Sequence, residues 1–360
     1  MSGNSMGKYF TVTCFGESHG KGVGVVVDGC PPGLDLSDAD VQRELDKRKP
    51  VSSAISTPRR EEDRVELLSG IFNGHTTGAP ICMLVWNRAV DSKPYEEMRW
   101  TPRPGHADYP ARIRYQGFND YRGGGRFSGR LTAAYVMAGA VAKRVLNKKG
   151  IEVLAHVTQI DSIKSLKAPS VNEIRLNVYA NPMRCATRDV AQLMEKAVRA
   201  ARDEGDSVGG VVEGMILNVP PGIGQPVFGA LDADLAQALF NIPAVKGVEF
   251  GTGFEAAGLK GSQNNDAYTI KTGQVSTTTN NAGGILGGLS TGMPIIFRVA
   301  FKPTPSIAKP QRTVNLKEGI NMEIEVKGRH DACIVPRAVP VVESMAAITL
   351  ADHLLAVGFR

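Results

Sequence analysis

The sequence predicts an α+β fold, two similar βα layers related by a pseudo-two-fold axis, and two internal echoes predict it. "GIFNGHTTGAPI" (70–81) and "GILGGLSTGMPI" (284–295) agree at seven of twelve positions. Upstream, "VVVDGCPPGLDLSDADVQREL" (25–45) and "MILNVPPGIGQPVFGALDADLAQAL" (215–239) share an apolar strand, a Pro-Pro-Gly turn and an Asp-Ala-Asp helix start. Such turn punctuation recurs by convergence, but two echoes in the same order with similar separations point to duplication. One domain over 1–360 is expected, with halves near 1–150 and 200–360 and a connecting segment over about 151–199. Two such layers bury their apolar faces around one core.

Each element has a local reason. Val23–Asp28 is an apolar run closed by "GCPPG", hence a strand. Ser37 with Asp38 and Asp40 supplies an N-cap and an acidic first turn for a helix to about Arg48. "APICMLVWN" reads as a buried strand. "SGRLTAAYVMAGAVAKRVLNKKG" is the strongest helix, apolar, alanine-rich and closed by lysines and Gly150. Residues 156 to 190 are polar with little periodicity, which suits a connection. "VAQLMEKAVRAARDEG" is an amphipathic surface helix, "GVVEGMILNVP" and "MPIIFRVAFKP" are strands, and "VPVVESMAAITLADHLL" is a closing helix.

Composition narrows the function classes. Hydrophobic residues make up 42% and charged residues 22%, the balance of a globular chain. No apolar run reaches the roughly 18 residues of a membrane span, and "MSGNSMGKYF" lacks the apolar core of a secretory signal. Cys14, Cys30, Cys82, Cys185 and Cys333 lie far apart without a CxxC pair, against a disulfide framework or a metal site and for a reducing, cytoplasmic setting. The net charge is +6 and the pI near 9.0, yet the basic residues form no tail or single helix face, and no nucleic-acid-binding pattern appears. Arg103, Arg112, Arg122, Arg126, Arg130, Arg329 and Arg337 instead fall in or beside Gly/Pro-rich loops. Their planar donor forks suit the carboxylates and phosphates of a small polyanionic ligand.

Five loops carry the chemistry. "TCFGESHGKGVG" sets His19 among glycines, either against a closely approaching ligand or in a solvated turn. "RPGHADYPARIRY" places His106 after a Pro-Gly turn among Arg103, Arg112 and Arg114. "DYRGGGRFSGRL" puts three glycines between Arg122 and Arg126, just before a helix start, a site suited to anions. It matches neither the ATP nor the dinucleotide fingerprint. "KPTPSIAKPQRT" is by its residues an ordered proline-rich loop, and "KGRHDACIVPR" holds Arg329, His330 and Asp331 either as a structural pair or as a working group. Histidines beside anion-binding arginines, without metal-ligand spacing, suggest acid–base work on a phosphorylated or carboxylated small molecule.

Taken together, "FGESHGKGVG", "RPGHADY", "DYRGGGRFSGR", "AVKGVEFG", "GSQNND", "NNAGGILGG", "FKPTPSI" and "KGRHDACIVPRAVPVVE" resemble, in order and over nearly the whole chain, the chorismate synthase family. The resemblance implies a layered βαβ sandwich with internal pseudo-two-fold symmetry, usually a homotetramer. It implies 1,4-trans elimination of phosphate from 5-enolpyruvylshikimate 3-phosphate (EPSP) to give chorismate, using reduced FMN without net redox change. It leaves open whether NADPH or an outside reductant reduces the flavin. By resemblance His106 protonates the departing phosphate, His19 donates a proton to reduced flavin near N1, and Asp331 helps flavin N5 accept the C6 proton of the substrate. Substrate anions fall to Ser18, Arg48, Arg103, Ser128, Arg130 and Arg329. Flavin falls to Arg126, Phe127 and Ser128, Pro243 and Ala244, Gly287, Lys302, Pro303, Thr304, Pro305 and Ser306, and Arg329.

Four departures from the family pattern stand out. Ala54 replaces an arginine found in many members, leaving Lys49, Arg59 or Arg60 to supply that charge. Pro243 replaces a frequent asparagine, so contact there is apolar or through backbone carbonyl. Ala332 replaces the usual proline after Asp331, which predicts a looser turn. "FSGRL" differs from the more common serine-alanine-arginine-glutamate run but keeps its serine and arginine.

Overall fold

A computed structural model of the chain describes residues 3–49, 62–88, 91–271, 273–326 and 330–358. The first sheet holds β1 (Ser5–Met6), β2 (Thr11–Gly16), β3 (Gly22–Asp28), β4 (Val65–Leu67) and β5 (Ile81–Trp86), ordered β1-β2-β3-β5-β4. The second holds β6 (Glu152–Ile160), β7 (Ile163–Lys164), β8 (Gly210–Leu217), β9 (Val245–Phe250) and β10 (Ile295–Phe301), ordered β7-β6-β8-β10-β9. Both sheets are antiparallel throughout. The runs β2-β3-β5-β4 and β6-β8-β10-β9 therefore follow one pattern. The two echoed segments form matching hairpins ahead of β5 and β10, with Ile71 opposite Thr76 and Ile285 opposite Ser290.

The segment expected to connect the halves does more than connect. β6 pairs with β8 along its length, and its Val153, Ala155 and Val157 are buried. His156, Thr158 and Gln159 interrupt the apolar signal because they satisfy other neighbours, which is why a strand there reads as polar.

The helices include α1 (Asp38–Arg48), α2 (Asp108–Arg114), α3 (Thr132–Asn147), α4 (Arg188–Asp203), α5 (Leu231–Phe240) and α6 (Val335–Ala356), with further short ones between them. α3 packs on β3 and α1 on β4, while α5 packs on β9 and α6 on β6 and β8. α3 meets α6 in the middle, so four helices lie between two sheets. Sequence explains the assignment: α3 and α6 are apolar on nearly every face, as helices covered on all sides must be. α6 closes the chain as expected and is also its central helix, and it starts at Val335, ahead of the expected run. It is long and apolar enough to cross a membrane by length and composition, but 89% of that window is buried inside the protein. Gly139 sets the α3–α6 approach, since a Cβ there would fall 2.2 Å from Ser344 Cβ.

Charge is also held, half-buried, between the layers. Lys143 of α3 lies 2.6 Å from Glu44 of α1 and 2.7 Å from Glu343 of α6. This packing brings the end of α1, the starts of α3 and α6, and the chain leaving β5 and β10 together, as the hydrogen bonds below show.

Candidate active site

The glycine loop is the hub. Gly123, Gly124 and Gly125 have φ of 60°, 81° and 53°, a left-handed run that side chains rarely tolerate. A Cβ on Gly123 would fall 2.3 Å from His19 Cδ2 and 2.8 Å from Ser18 Oγ. A Cβ on Gly124 would fall 3.2 Å from both Cε1 and Nε2 of His106. Two histidines 87 positions apart thereby face adjacent glycines. His19 is no solvated turn residue: it is 6% exposed, its Nδ1 lies 2.9 Å from Ser92 Oγ, and its ring meets Tyr95 edge-on. Ser18 N–H donates to the Gly125 carbonyl at 3.2 Å, tying the two loops together. Gly123→Ala should therefore push His19 aside and lower turnover by about 10–100-fold, the scale of an ångström-level misplacement. Steady-state kinetics check this, and an unchanged rate would detach His19 from the reaction.

Arg103 and His106 share one carboxylate. Arg103 donates from Nε to Asp108 Oδ2 at 2.8 Å and from Nη2 to Oδ1 at 2.8 Å, and its backbone N–H reaches Oδ2 at 3.0 Å. His106 Nδ1 lies 2.6 Å from Asp108 Oδ1. Burial alone would raise the Asp108 carboxyl, but the hydrogen bonds from Arg103 and His106 outweigh it and hold it well below the usual carboxylate range. Asp108 lies inside the "RPGHADY" segment but had no role assigned to it from the sequence.

Arg48 and Arg130 converge through Asp63. Arg48 Nη1 lies 3.4 Å from Asp63 Oδ2, Nε donates to Thr132 Oγ1 at 2.8 Å, and Nη2 donates to the Gly129 carbonyl at 3.0 Å. Arg130 pairs with the other Asp63 oxygen and donates from Nε to Asn87 Oδ1 at 3.0 Å. Asn87 in turn holds the carbonyls of Glu17 and Gly20, so β5 fixes the His19 loop. Asp63 and Asn87 are further site residues that no motif announced; only the fold places them. Ser128 Oγ caps the turn before α3 by accepting from Arg130 N–H at 3.2 Å.

The second half supplies the facing wall. Lys302 Nζ donates to the Gly105 carbonyl, and its N–H donates to Ala244, next to Pro243, at 3.0 Å. Burial and the nearby Lys246 lower the Lys302 ammonium. Ser306 Oγ accepts from Arg103 Nη1 at 3.1 Å, and Pro305 packs beside Gly105. The "KPTPS" loop is thus joined to the His106 loop, not an isolated surface turn. Thr304 Oγ1 donates to the Asp331 carbonyl at 2.8 Å, and Val208 N–H donates to Ala332 at 2.9 Å. These bonds hold the turn expected to loosen without proline. Arg337, in the first turn of α6, pairs with the Asp331 carboxylate and reaches the Arg48 carbonyl at 3.4 Å. His330 Nε2 is buried with no hydrogen-bond partner among the described residues. Burial, with the Arg103 cation beside it, lowers its pKa against the pull of Asp331.

Two expected ligand residues do not join this group in one chain. Arg126 spends its guanidinium on the Gly16 and Cys14 carbonyls at 2.9 and 3.2 Å and on Asn4 Oδ1 at 2.7 Å, so it anchors the glycine loop to β2. Gly287 sits in the hairpin before β10, whereas Lys302 follows β10; a strand of that length separates them by about 20 Å. Arg329 lies outside the described residues, as do Ala54, Arg59 and Arg60; Lys49 pairs with Asp46 at 2.6 Å. Phe127 is 40% exposed, its ring 6.4 Å from Tyr115, and with Arg103, Asp108, Asp120 and Gly124 it lines a narrow cleft.

Comparison with known proteins gives one result. A family model described as chorismate synthase matches residues 10–355. A chorismate synthase of Dehalococcoides mccartyi is 54% identical over 99% of this chain and 97% of its own length. One of Methanosarcina barkeri is 55% identical over 100% and 98%. A crystal structure of chorismate synthase superposes with a TM-score of 0.76 at 32% identity, covering 97% of this chain and 92% of the other.

Proposed function

The chain belongs to the chorismate synthase family, and from that premise we propose how the cleft works. It is a carbon–oxygen lyase of the shikimate pathway, acting on a small molecule in the biosynthesis of aromatic amino acids. The family implies a flavin requirement. In the reading we favour, the substrate is EPSP, the cofactor is reduced FMN, and phosphate leaves by 1,4-trans elimination to give chorismate.

One observation carries this reading: His19, His106, Ser18 and Arg103 all abut one three-glycine turn. A trianionic substrate needs nearby cations to offset its mutual repulsion, and Arg48, Arg103 and Arg130 are buried around that turn with their forks already oriented. The starts of α3 and α6 add their partial positive charge at the same end. His106, its Nδ1 held on Asp108, presents Nε2 toward Gly124 and delivers a proton to the leaving phosphate, which departs more readily when less anionic. His19 holds a proton at the opposite side of the glycine turn, fixed by Ser92 and Tyr95. Asp331, its carboxylate paired with Arg337, would assist the loss of the proton from the substrate ring.

The residues present fit a phosphate-bearing flavin. Buried His330 Nε2 has no polar partner among the described residues, an arrangement a ligand ordinarily completes. Phe127, Ser128, Pro243, Ala244 and Lys302 through Ser306 would hold the group, with Arg329 as a further contact. When bound, reduced flavin supplies electron density to the breaking C–O bond and recovers it. Gly287 would then contribute from a second copy of the chain, which favours an oligomer such as the homotetramer the resemblance implies, and exposed apolar Phe228 and Val227 beside its hairpin suit such burial. Five free cysteines favour the reducing cytoplasm. Matching strand orders favour one duplicated domain over residues 1–360.

The test is an anaerobic assay with EPSP, with and without reduced FMN, following chorismate absorbance. Chorismate and phosphate should appear only when both are present; turnover without flavin, or none with it, would reject the reading. Adding NADPH with oxidised FMN shows whether the chain reduces its own cofactor.

A further inference from the structure

We propose that Asp108 is a positioning residue of the reaction: it holds His106 with Nδ1 protonated and offsets the Arg103 cation, so that Nε2 carries a proton toward the leaving group. The assignment rests on the reading of His106 as proton donor. Its basis is geometric. A carboxylate only accepts, so the 2.6 Å approach of His106 Nδ1 to Asp108 Oδ1 requires a proton on Nδ1. That leaves Nε2 as the working nitrogen, and Nε2 lies, together with Cε1, against Gly124 at the hub of the site.

Arg103 makes Asp108 necessary. Its Nη2 lies 3.1 and 3.3 Å from the two ring nitrogens of His106, so a guanidinium rests against the imidazole. Alone it would disfavour imidazolium, the form a proton donor needs. Asp108 neutralises that guanidinium through paired bonds and touches the ring as well. Asp108 is itself rigid, gripped by the Arg103 side chain and backbone, and Ser306 steadies Arg103 from the second half.

Other charged or titratable groups reach this centre from each packed segment. Lys302 arrives through the Gly105 carbonyl and His330 lies beside Arg103. Tyr95 lies under the Arg103 guanidinium, and His19 and Asp120 border the glycine turn. None of these carboxylates or rings contacts His106 as closely as Asp108 does.

Asp108→Asn is the test. The amide keeps the shape and removes the charge, so kcat should fall by about 10²-fold with KM for EPSP within about threefold. The alkaline limb of the kcat–pH profile should move to lower pH, and Asp108→Glu should recover about tenfold of the loss. ¹⁵N NMR of the histidines in the flavin-free wild type should show His106 protonated on Nδ1, and a mixture of tautomers in Asp108→Asn. A kcat within threefold of wild type with an unmoved limb would overturn the proposal, as would a wild-type His106 protonated on Nε2 alone. If wild type fails to turn over EPSP, the functional reading falls by itself, and the imidazole spectrum still decides the pairing. Should Asp108→Asn not fold, the wild-type spectrum alone confirms or refutes it.

Discussion

His106→Ala is expected to lower EPSP turnover by about 10²–10⁴-fold, the usual contribution of a positioned acid. The imidazole sits on Gly124, clear of the chain's packed core, and is held by Asp108 and Arg103. Its removal leaves Asp108 still paired with Arg103, so the loop should persist. Flavin affinity, read from fluorescence titration, should change little, because Lys302, Ser306 and Phe127 are untouched. A variant with wild-type kcat would remove His106 from proton transfer altogether. Loss of flavin binding in step with kcat would instead mean that the residue shapes the cleft and does no chemistry.

The second large effect is on stability. Lys143→Met should cost about 3–5 kcal/mol at pH 7, because it strands the buried Glu343 carboxylate without its cation and leaves half-buried Glu44 with Lys47 alone. Burial alone would lower the Lys143 ammonium, but Glu343 and Glu44 outweigh it and raise it above an ordinary lysine. Burial alone would raise Glu44, but Lys143 and Lys47 outweigh it and hold it at about 2. The sign follows from these directions. The stabilisation from Glu44 is fully present above the unfolded carboxyl value of about 4.3 and fades as pH falls through about 2. That from Lys143 is fully present below about 10.4 and fades as pH rises through its higher folded value. Urea titrations of both proteins at pH 7 and pH 3 should show the gap narrowing at pH 3. A gap under about 1 kcal/mol at pH 7, the worth of an exposed pair, would show the triad to be solvated and not held between the layers.

Much of the fold was legible because its signals are local. Ser37 starts α1 where an N-cap with two acids predicts it, and "GVVEGMILNVP" and "MPIIFRVAFKP" form the predicted β8 and β10. The echoed segments form like hairpins because Asn73-Gly74 and Gly287-Gly288 both adopt the positive φ that a two-residue hairpin turn needs. β6 was hidden because its apolar positions are diluted by His156, Thr158 and Gln159, whose partners come from distant strands or tight turns. α6 read only as a closing helix because hydropathy reports that a surface is covered and not what covers it.

The site divides along the same line. By itself the sequence determined which groups are available: two histidines in glycine-bearing loops, an arginine-rich set of turns, and a family pattern over the whole chain. Tertiary structure alone decided who meets whom. It set His19 and His106 on neighbouring glycines, gave Asp63 to both Arg48 and Arg130, and turned Arg126 onto β2. It also left Gly287 a strand's length from Lys302. The physical reason is range. Caps, turns and periodicity act within a few residues, whereas the pairing of charges across loops depends on how two sheets and four helices pack.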